Sequence, residues 1–221
     1  MKTATYRVKL IGESPLLLHK DSVTGSMLIK KWQKNPENKK NAIAGDDRCP
    51  AWTWLTYCYH DNNFLQVDVD NIMSMLRDAG KRCPNPSGRG SLKVQTQSGI
   101  IAEGLGWNIK INGKEIPWQP LEELYKAEDF EVHQEVAESL GIELFIKRAK
   151  IGKNKHIRVR PRISNWTLEG KITVLDESLT ENVIKTVLKQ GGFYVGLCDW
   201  RPGSPMSPGQ FGRFSVNVSK V

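Results

Sequence analysis

Residues 156–163 alternate strictly between basic and apolar side chains. Successive side chains of a β-strand leave opposite faces, so this spacing predicts a strand with one basic and one apolar face. Gly152 and the polar residues that follow it predict a turn, with a second strand before it at residues 142–151. The segment is therefore expected to fold as a long hairpin. Its basic face carries His156, Arg158, Arg160 and Arg162.

The stretch between Glu143 and Glu169 is basic throughout and contains no carboxylate. Bases on one side of a strand repel one another unless water or a polyanion lies against them. One interpretation is a solvated sheet face, the usual reason for a charge run. We favour the other, a nucleic-acid groove. The eight cations of the stretch are Lys147, Arg148, Lys150, Lys153, Lys155, Arg158, Arg160 and Arg162.

Composition limits the class of protein. The 221 residues are 39% apolar and 25% charged, as in ordinary soluble globular proteins. There are 32 basic and 24 acidic residues, a net charge of +8 that favours phosphate backbones or anionic surfaces as partners. No apolar run approaches the ~18 residues of a membrane span, and the first ten residues do not resemble a secretion signal. We expect a cytoplasmic protein without a membrane partner.

The four cysteines and four histidines do not follow a zinc-binding spacing. Cys58 and Cys198 lie in or next to apolar segments, where cysteine usually behaves as a small hydrophobe. We therefore predict reduced thiols, no metal and no other cofactor.

Hydrophobic periodicity predicts an α+β protein. Helices are expected from a cap at Asp68 or Asp70 up to Gly80, over 121–140 with a break near Asp129, and after the capping box Ser178-x-x-Glu181. Residues 20–47 are polar and basic, and predict a loop or partly ordered insertion with about one helical turn near Met27. Helices interleave with antiparallel-looking strands, which disfavours a doubly wound sheet. Strands are expected at residues 5–12, 52–59, 64–67, 109–116 (a hairpin around Asn112-Gly113), 142–151, 156–163, 166–175, 193–197 and 214–218.

Two loops add to the basic surface. Residues 81–93 are rich in Pro, Gly and Ser, and are either a flexible linker or a loop that approaches phosphates. Residues 191–214 hold six glycines and three prolines between two predicted strands, which indicates either a demanding turn or backbone amides open to a phosphate. Trp200 is the best candidate for base stacking. The candidate basic residues of these loops are Lys81, Arg82, Arg89, Lys93, Arg201 and Arg213.

Short motifs at both ends resemble the RAMP superfamily, the repeat-associated proteins that form backbone and RNA-processing subunits of CRISPR effectors. The motifs are Gly-x-Ser-Pro-Leu after the first strand, at residues 12–16, and Phe-Gly-Arg-Phe at residues 211–214. Residues 158–161, Trp166 and residues 196–202 also resemble uncharacterised phage-encoded proteins. The resemblance covers the ends and the last third of the chain.

The resemblance implies one domain over residues 1–221, with a ferredoxin-like (RRM-like) core, a long basic β-hairpin insertion and a C-terminal glycine-rich loop. Insertions are expected at about residues 20–50, 81–98 and 142–163. It also implies a bound single-stranded RNA or DNA, and self-association or assembly with CRISPR-type subunits along that strand. The loop residues implied to approach the strand are Gly196, Arg201, Gly209, Gly212 and Arg213.

Three functions remain open. The first is a non-enzymatic single-stranded nucleic-acid-binding protein, with RNA favoured over DNA. The second is a metal-independent endoribonuclease, since RNA-processing members of the superfamily use an early histidine and His19 is the positional match. The third is a phage-encoded protein that imitates or blocks a CRISPR subunit.

Overall fold

The computed structural model describes residues 3–40, 49–86, 88–151 and 154–221; for residues 39–40, 148–151 and 154–158 it describes the backbone alone. Ten strands are present in this part of the chain: β1 Ala4–Gly12, β2 Leu16–Leu17, β3 Gln66–Asp68, β4 Ile100–Ala102, β5 Gly106–Ile111, β6 Lys114–Glu115, β7 Ile142–Ile151, β8 Asn154–Ile163, β9 Trp166–Val174 and β10 Phe214–Lys220.

Seven α-helices accompany them: α1 Val23–Lys34, α2 Pro36–Lys40, α3 Val69–Gly80, α4 Lys93–Ser98, α5 Gln119–Glu123, α6 Phe130–Ser139 and α7 Glu181–Gln190. Short 3-10 helices cover Ala51–Tyr57 and Leu124–Lys126, and a π-helical turn covers Gly191–Val195. The protein is therefore α+β, as the sequence predicts.

The strands form two antiparallel sheets. The larger sheet has the order β10-β1-β9-β5-β3, with β4 paired to β9 and β6 paired to β5. The smaller sheet has the order β2-β8-β7, so the predicted hairpin forms with a third, very short strand at its base. Leu16 and Leu17 connect the two sheets, because they follow β1 by only a few residues and then pair with β8.

The core lies between the larger sheet and the helices α3 and α7. Tyr6, Val8 and Leu10 are buried on one face of β1, in agreement with the predicted alternation. The apolar stripe of α3 and that of α7, which includes Ile184 and Val187, close over it. The base of the hairpin joins this core through Ile142 and Ile163, and the glycine-rich loop joins it through Leu197 and Cys198.

Several predicted elements are confirmed in detail. Asp129 caps α6 by accepting a hydrogen bond from the Glu131 amide, which explains the predicted break. Asn112 and Gly113 both have positive φ and turn β5 into β6. The cap of α7 differs, because Thr180 and not Ser178 accepts the hydrogen bond from the Val183 amide.

The strand predicted at residues 52–59 is wrong, because residues 51–57 form a 3-10 helix. Its aromatic and β-branched composition favours a strand, but tertiary packing overrides this propensity. Trp54 is fully buried there, and its indole N–H donates to Nδ1 of His133 at 3.1 Å. The hairpin predicted with residues 64–67 is reduced to a single bridge between His60 and Leu65, followed by β3.

The buried strand predicted at residues 193–197 is also wrong, because residues 191–195 form the π-helical turn. Gly191 and Gly192 permit it, since a Cβ at these positions would overlap the Met75 sulfur and the Phe214 carbonyl oxygen. Phe193 and Tyr194 are then exposed rather than buried.

The segment predicted as a loop at residues 20–47 contains more helix than the single turn expected. The side chain of Ser22 caps α1 by accepting from the Gly25 amide at 2.9 Å, and α2 follows. Residues 41–48 lie outside the described residues.

Candidate nucleic-acid interface

The basic hairpin brings cations onto one face through its register. In β7 and β8, Glu143 is opposite Arg162, Phe145 is opposite Arg160, and Lys147 is opposite Arg158. Paired residues share a face of the sheet, so the side chains of Glu143, Phe145, Lys147, Arg160 and Arg162 lie on one face. The predicted binding residues Arg148, Lys150, Lys155, His156 and Arg158 have only their backbone described, and Lys153 lies outside the described residues.

The two described arginines of β8 are already paired with carboxylates. Arg162 makes a two-pronged hydrogen bond to Glu143, and Arg160 donates to Asp199. The expectation that these two cations repel one another unless water or a polyanion lies against them is therefore wrong. The reason is the fold: the strand register brings in Glu143, and the glycine-rich loop brings in Asp199, neither of which lies inside the basic stretch.

A cavity of about 290 Å³ lies where the hairpin meets the glycine-rich loop. We call it the His19 pocket. It takes residues from β7, from β8, from the segment after β2 and from the glycine-rich loop. The lining residues are His19, Phe145, Lys147, Arg160, Asp199, Trp200, Ser204 and Ser207.

Backbone pairing fixes His19 in this pocket. The segment of β2 runs antiparallel to β8, and the Leu18 amide continues the pairing by donating to the Pro161 carbonyl at 3.1 Å. Next to it, the Asp199 amide donates to the Leu17 carbonyl at 3.0 Å. His19 and Asp199 are thereby held side by side, with Nδ1 of His19 3.5 Å from Oδ2 of Asp199.

Aromatic residues support the histidine from behind. The ring of Tyr57 meets the His19 ring edge-on at 4.7 Å, and the Tyr59 hydroxyl donates to the His19 carbonyl at 3.1 Å. Both tyrosines come from the segment that was expected to be a strand. Their contact with His19 could not be read from sequence spacing.

Among the described residues, Asp199 is the carboxylate that lines the pocket. Burial raises the pKa of its carboxyl, but the His19 hydrogen bond and the charge of Arg160 outweigh burial and hold this pKa below its usual value. Asp199 is therefore ionised at neutral pH. Asp199 pairs with Arg160 and His19, whereas Nη2 of Arg201 lies 3.6 Å from Oδ2 of Asp78.

Trp200, the predicted stacking residue, lies in the pocket but is not bare. The Lys147 ammonium lies 3.2 Å from the ring centroid, a cation–π contact. The Phe211 ring lies parallel to it with centroids 6.1 Å apart. Trp200 therefore joins the hairpin to the loop and holds Lys147 at the pocket.

The predicted loop glycines have internal packing roles. Gly196 and Gly212 have φ of +72° and +71°, a region that side chains disfavour. A Cβ on Gly209 would overlap the Trp200 carbonyl oxygen, and one on Gly212 would overlap that of Leu197. These glycines let the loop fold back on itself and so hold Trp200 in place.

The two loop arginines occupy different places. Arg201 donates to the Cys198 carbonyl at 3.3 Å, and its Nε is buried without a hydrogen-bond partner among the described residues. Arg213 lies over the Phe193 ring, 5.7 Å from its centroid, and donates to the Phe193 carbonyl. Arg201 is thus held by contacts with Cys198 and Asp78, and Arg213 by contacts with Phe193.

The basic residues of the loop at residues 81–93 also differ in their contacts. Lys81 donates to Asp78 at 2.7 Å, whereas Arg82 lies over the Tyr194 ring at 5.5 Å. Arg89 and Lys93 are exposed to solvent. Arg82 thereby contacts the π-helical turn that opens the glycine-rich loop.

Sequence reasoning missed several residues of this surface. Phe145 and the loop serines Ser204 and Ser207 line the pocket, and Phe193 and Tyr194 are exposed. Phe145 could have been found, because it keeps the alternation of β7 in step with Lys147. The others depend on the course of the loop, for which the chain carries no periodic signal.

Neither a scan against models of known protein families nor a search of the curated proteins finds a match for this chain. Among the helices described above, none combines the length and the apolar character that crossing a membrane requires.

Proposed function

We propose that this protein binds single-stranded nucleic acid, RNA in preference to DNA, without cleaving it. One observation carries the proposal: the hairpin, the glycine-rich loop and His19, which the sequence singles out separately, meet at one pocket. Lys147 and Arg160 carry two positive charges in the pocket lining, and Asp199 carries one negative charge. This positive excess attracts a phosphate, and serine hydroxyls and aromatic rings lie next to it.

The proposal extends to the fold family. The strand order β10-β1-β9-β5, with every neighbour antiparallel and with α3 and α7 packed over it, supports a ferredoxin-like core. Such a core, with the hairpin as an insertion, supports the RAMP resemblance. On this interpretation the protein works in the cytoplasm and assembles with further copies or with CRISPR-type subunits along the strand.

The binding test uses Lys147→Glu, because Lys147 is exposed and makes no ion pair among the described residues. We expect affinity for a fluorescent uridine oligonucleotide to fall roughly tenfold in fluorescence anisotropy. The matched control is Lys171→Glu, the same charge change on an exposed residue of β9. Equal losses in both variants would mean that net charge, and not the pocket, accounts for binding.

A second candidate function is metal-independent RNA cleavage, favoured by the contact of His19 with Asp199. In this reaction a ribose 2′-oxygen attacks the phosphorus and the bond to the 5′-oxygen breaks. An imidazole can remove the 2′ proton or give one to the 5′-oxygen. Lys147 and Arg160 are placed to stabilise the added negative charge on the phosphate.

Cleavage is tested with labelled RNA in the presence of a metal chelator. The enzymatic alternative predicts shorter products that are lost in His19→Ala, and no cleavage of a 2′-deoxy strand. Our main proposal predicts an intact RNA that His19→Ala still binds. Products that persist in His19→Ala would come from a contaminating nuclease.

A further inference from the structure

Two neighbouring aromatic side chains, Phe193 and Tyr194, are exposed on the π-helical turn after α7. They are 60% and 45% exposed, and their ring centroids are 4.7 Å apart. Gly191 and Gly192 pack tightly on Met75 and Phe214, so the turn is held firmly while its two rings face solvent. π-turns are rare and occur often at functional sites.

Cations flank this aromatic pair on both sides. Arg82 lies 5.5 Å from the Tyr194 centroid, and Arg213 lies 5.7 Å from the Phe193 centroid. The pair lines a cleft of about 450 Å³, together with Lys189 and the carboxylate of Glu13. The patch is thus aromatic at its centre and positively charged around it.

We infer that Phe193 and Tyr194, with Arg82 and Arg213, form a second nucleic-acid contact where bases of the strand stack. We call these four residues the stacking platform. Every base has a π-face, so exposed rings bind bases without sequence preference. Arginines beside the rings suit a strand whose phosphates alternate with its bases, whereas an apolar protein partner gains nothing from them.

This inference rests on the proposed function and adds a site to it. The glycine-rich loop contributes to both contacts: Trp200 and Ser204 line the His19 pocket, and Arg213 belongs to the stacking platform. Arg82 connects the platform to the basic loop at residues 81–93. The pocket holds a phosphate, and the platform holds bases.

The test compares an RNA oligonucleotide with an abasic strand of the same length. We expect the wild type to bind the base-containing strand about tenfold more tightly, because stacking is lost without bases. Phe193→Ala combined with Tyr194→Ala removes this preference and leaves the weaker abasic binding unchanged. The matched control is Leu105→Ala, which removes an 87% exposed apolar side chain elsewhere and keeps the preference.

The outcomes separate the two proposals. A double variant that keeps the full preference overturns the platform and leaves the proposed function standing. Equal wild-type affinity for both strands also overturns the platform and points to a protein partner for the patch. A wild type that binds neither strand overturns both proposals. Tyr194→Leu keeps apolar bulk without the ring, and gives the same comparison if the double variant does not fold.

Discussion

Asp199 links the hairpin to the rest of the site at the level of single residues. It accepts from Arg160, whose side chain is only 16% exposed, and it lies beside His19. Without Asp199 the Arg160 charge stays partly buried and loses its partner. A lost partner of this kind is costly, because the remaining group has also given up its water.

Asp199→Asn should therefore lower the free energy of unfolding by about 1–3 kcal/mol near neutral pH. The folded carboxyl pKa is below its ordinary value, so the ionised group stabilises the protein above about pH 4. This contribution is lost as the pH falls through the folded pKa. Urea unfolding of both proteins at several pH values should show the gap narrowing in acid. A constant gap would contradict the ion-pair account.

The glycine-rich loop is the element that completes the pocket, and its shape depends on close backbone packing. Gly209→Ala places a methyl group against the Trp200 carbonyl oxygen. We expect it to displace Trp200, to lower the melting temperature and to weaken oligonucleotide binding. Gly88→Ala is the control, since a Cβ there has ordinary contacts and no positive φ. Both variants are compared by thermal unfolding and anisotropy; equal behaviour would mean that the loop tolerates a changed course.

Local patterns predicted the elements whose own residues determine them. The alternation in β1, the strand β8 with its hairpin pairing, the stripe of α3 and the turn at Asn112 are all confirmed. The sequence pattern predicted the wrong element where contacts with residues distant in sequence determine the local structure. Trp54 lies in a 3-10 helix, where its indole N–H donates to His133. Residues 193–195 belong to a π-helical turn because Gly191 and Gly192 pack closely against α3 and β10.

The whole molecule adds what no local pattern contains, namely which elements meet. The sequence identified the hairpin, the glycine-rich loop and His19, but nothing in it joined them. Their meeting follows from β2 pairing with β8 and from the Asp199 amide bonding to the Leu17 carbonyl. The α+β class was predictable because it follows from element order, whereas the carboxylate partners of Arg160 and Arg162 depended on tertiary structure.

The most direct test of nucleic-acid binding at the His19 pocket is the salt dependence of affinity for a single-stranded RNA. Between about 50 and about 200 mM salt, we predict that the logarithm of the association constant falls linearly with the logarithm of the salt concentration. The slope should be steeper than about −0.7, the value expected for one phosphate contact on a single strand. Lys147→Ala should make this slope shallower by about 0.7. An affinity that does not change with salt concentration, or a slope that is the same in Lys147→Ala as in the wild type, would contradict phosphate binding at this pocket.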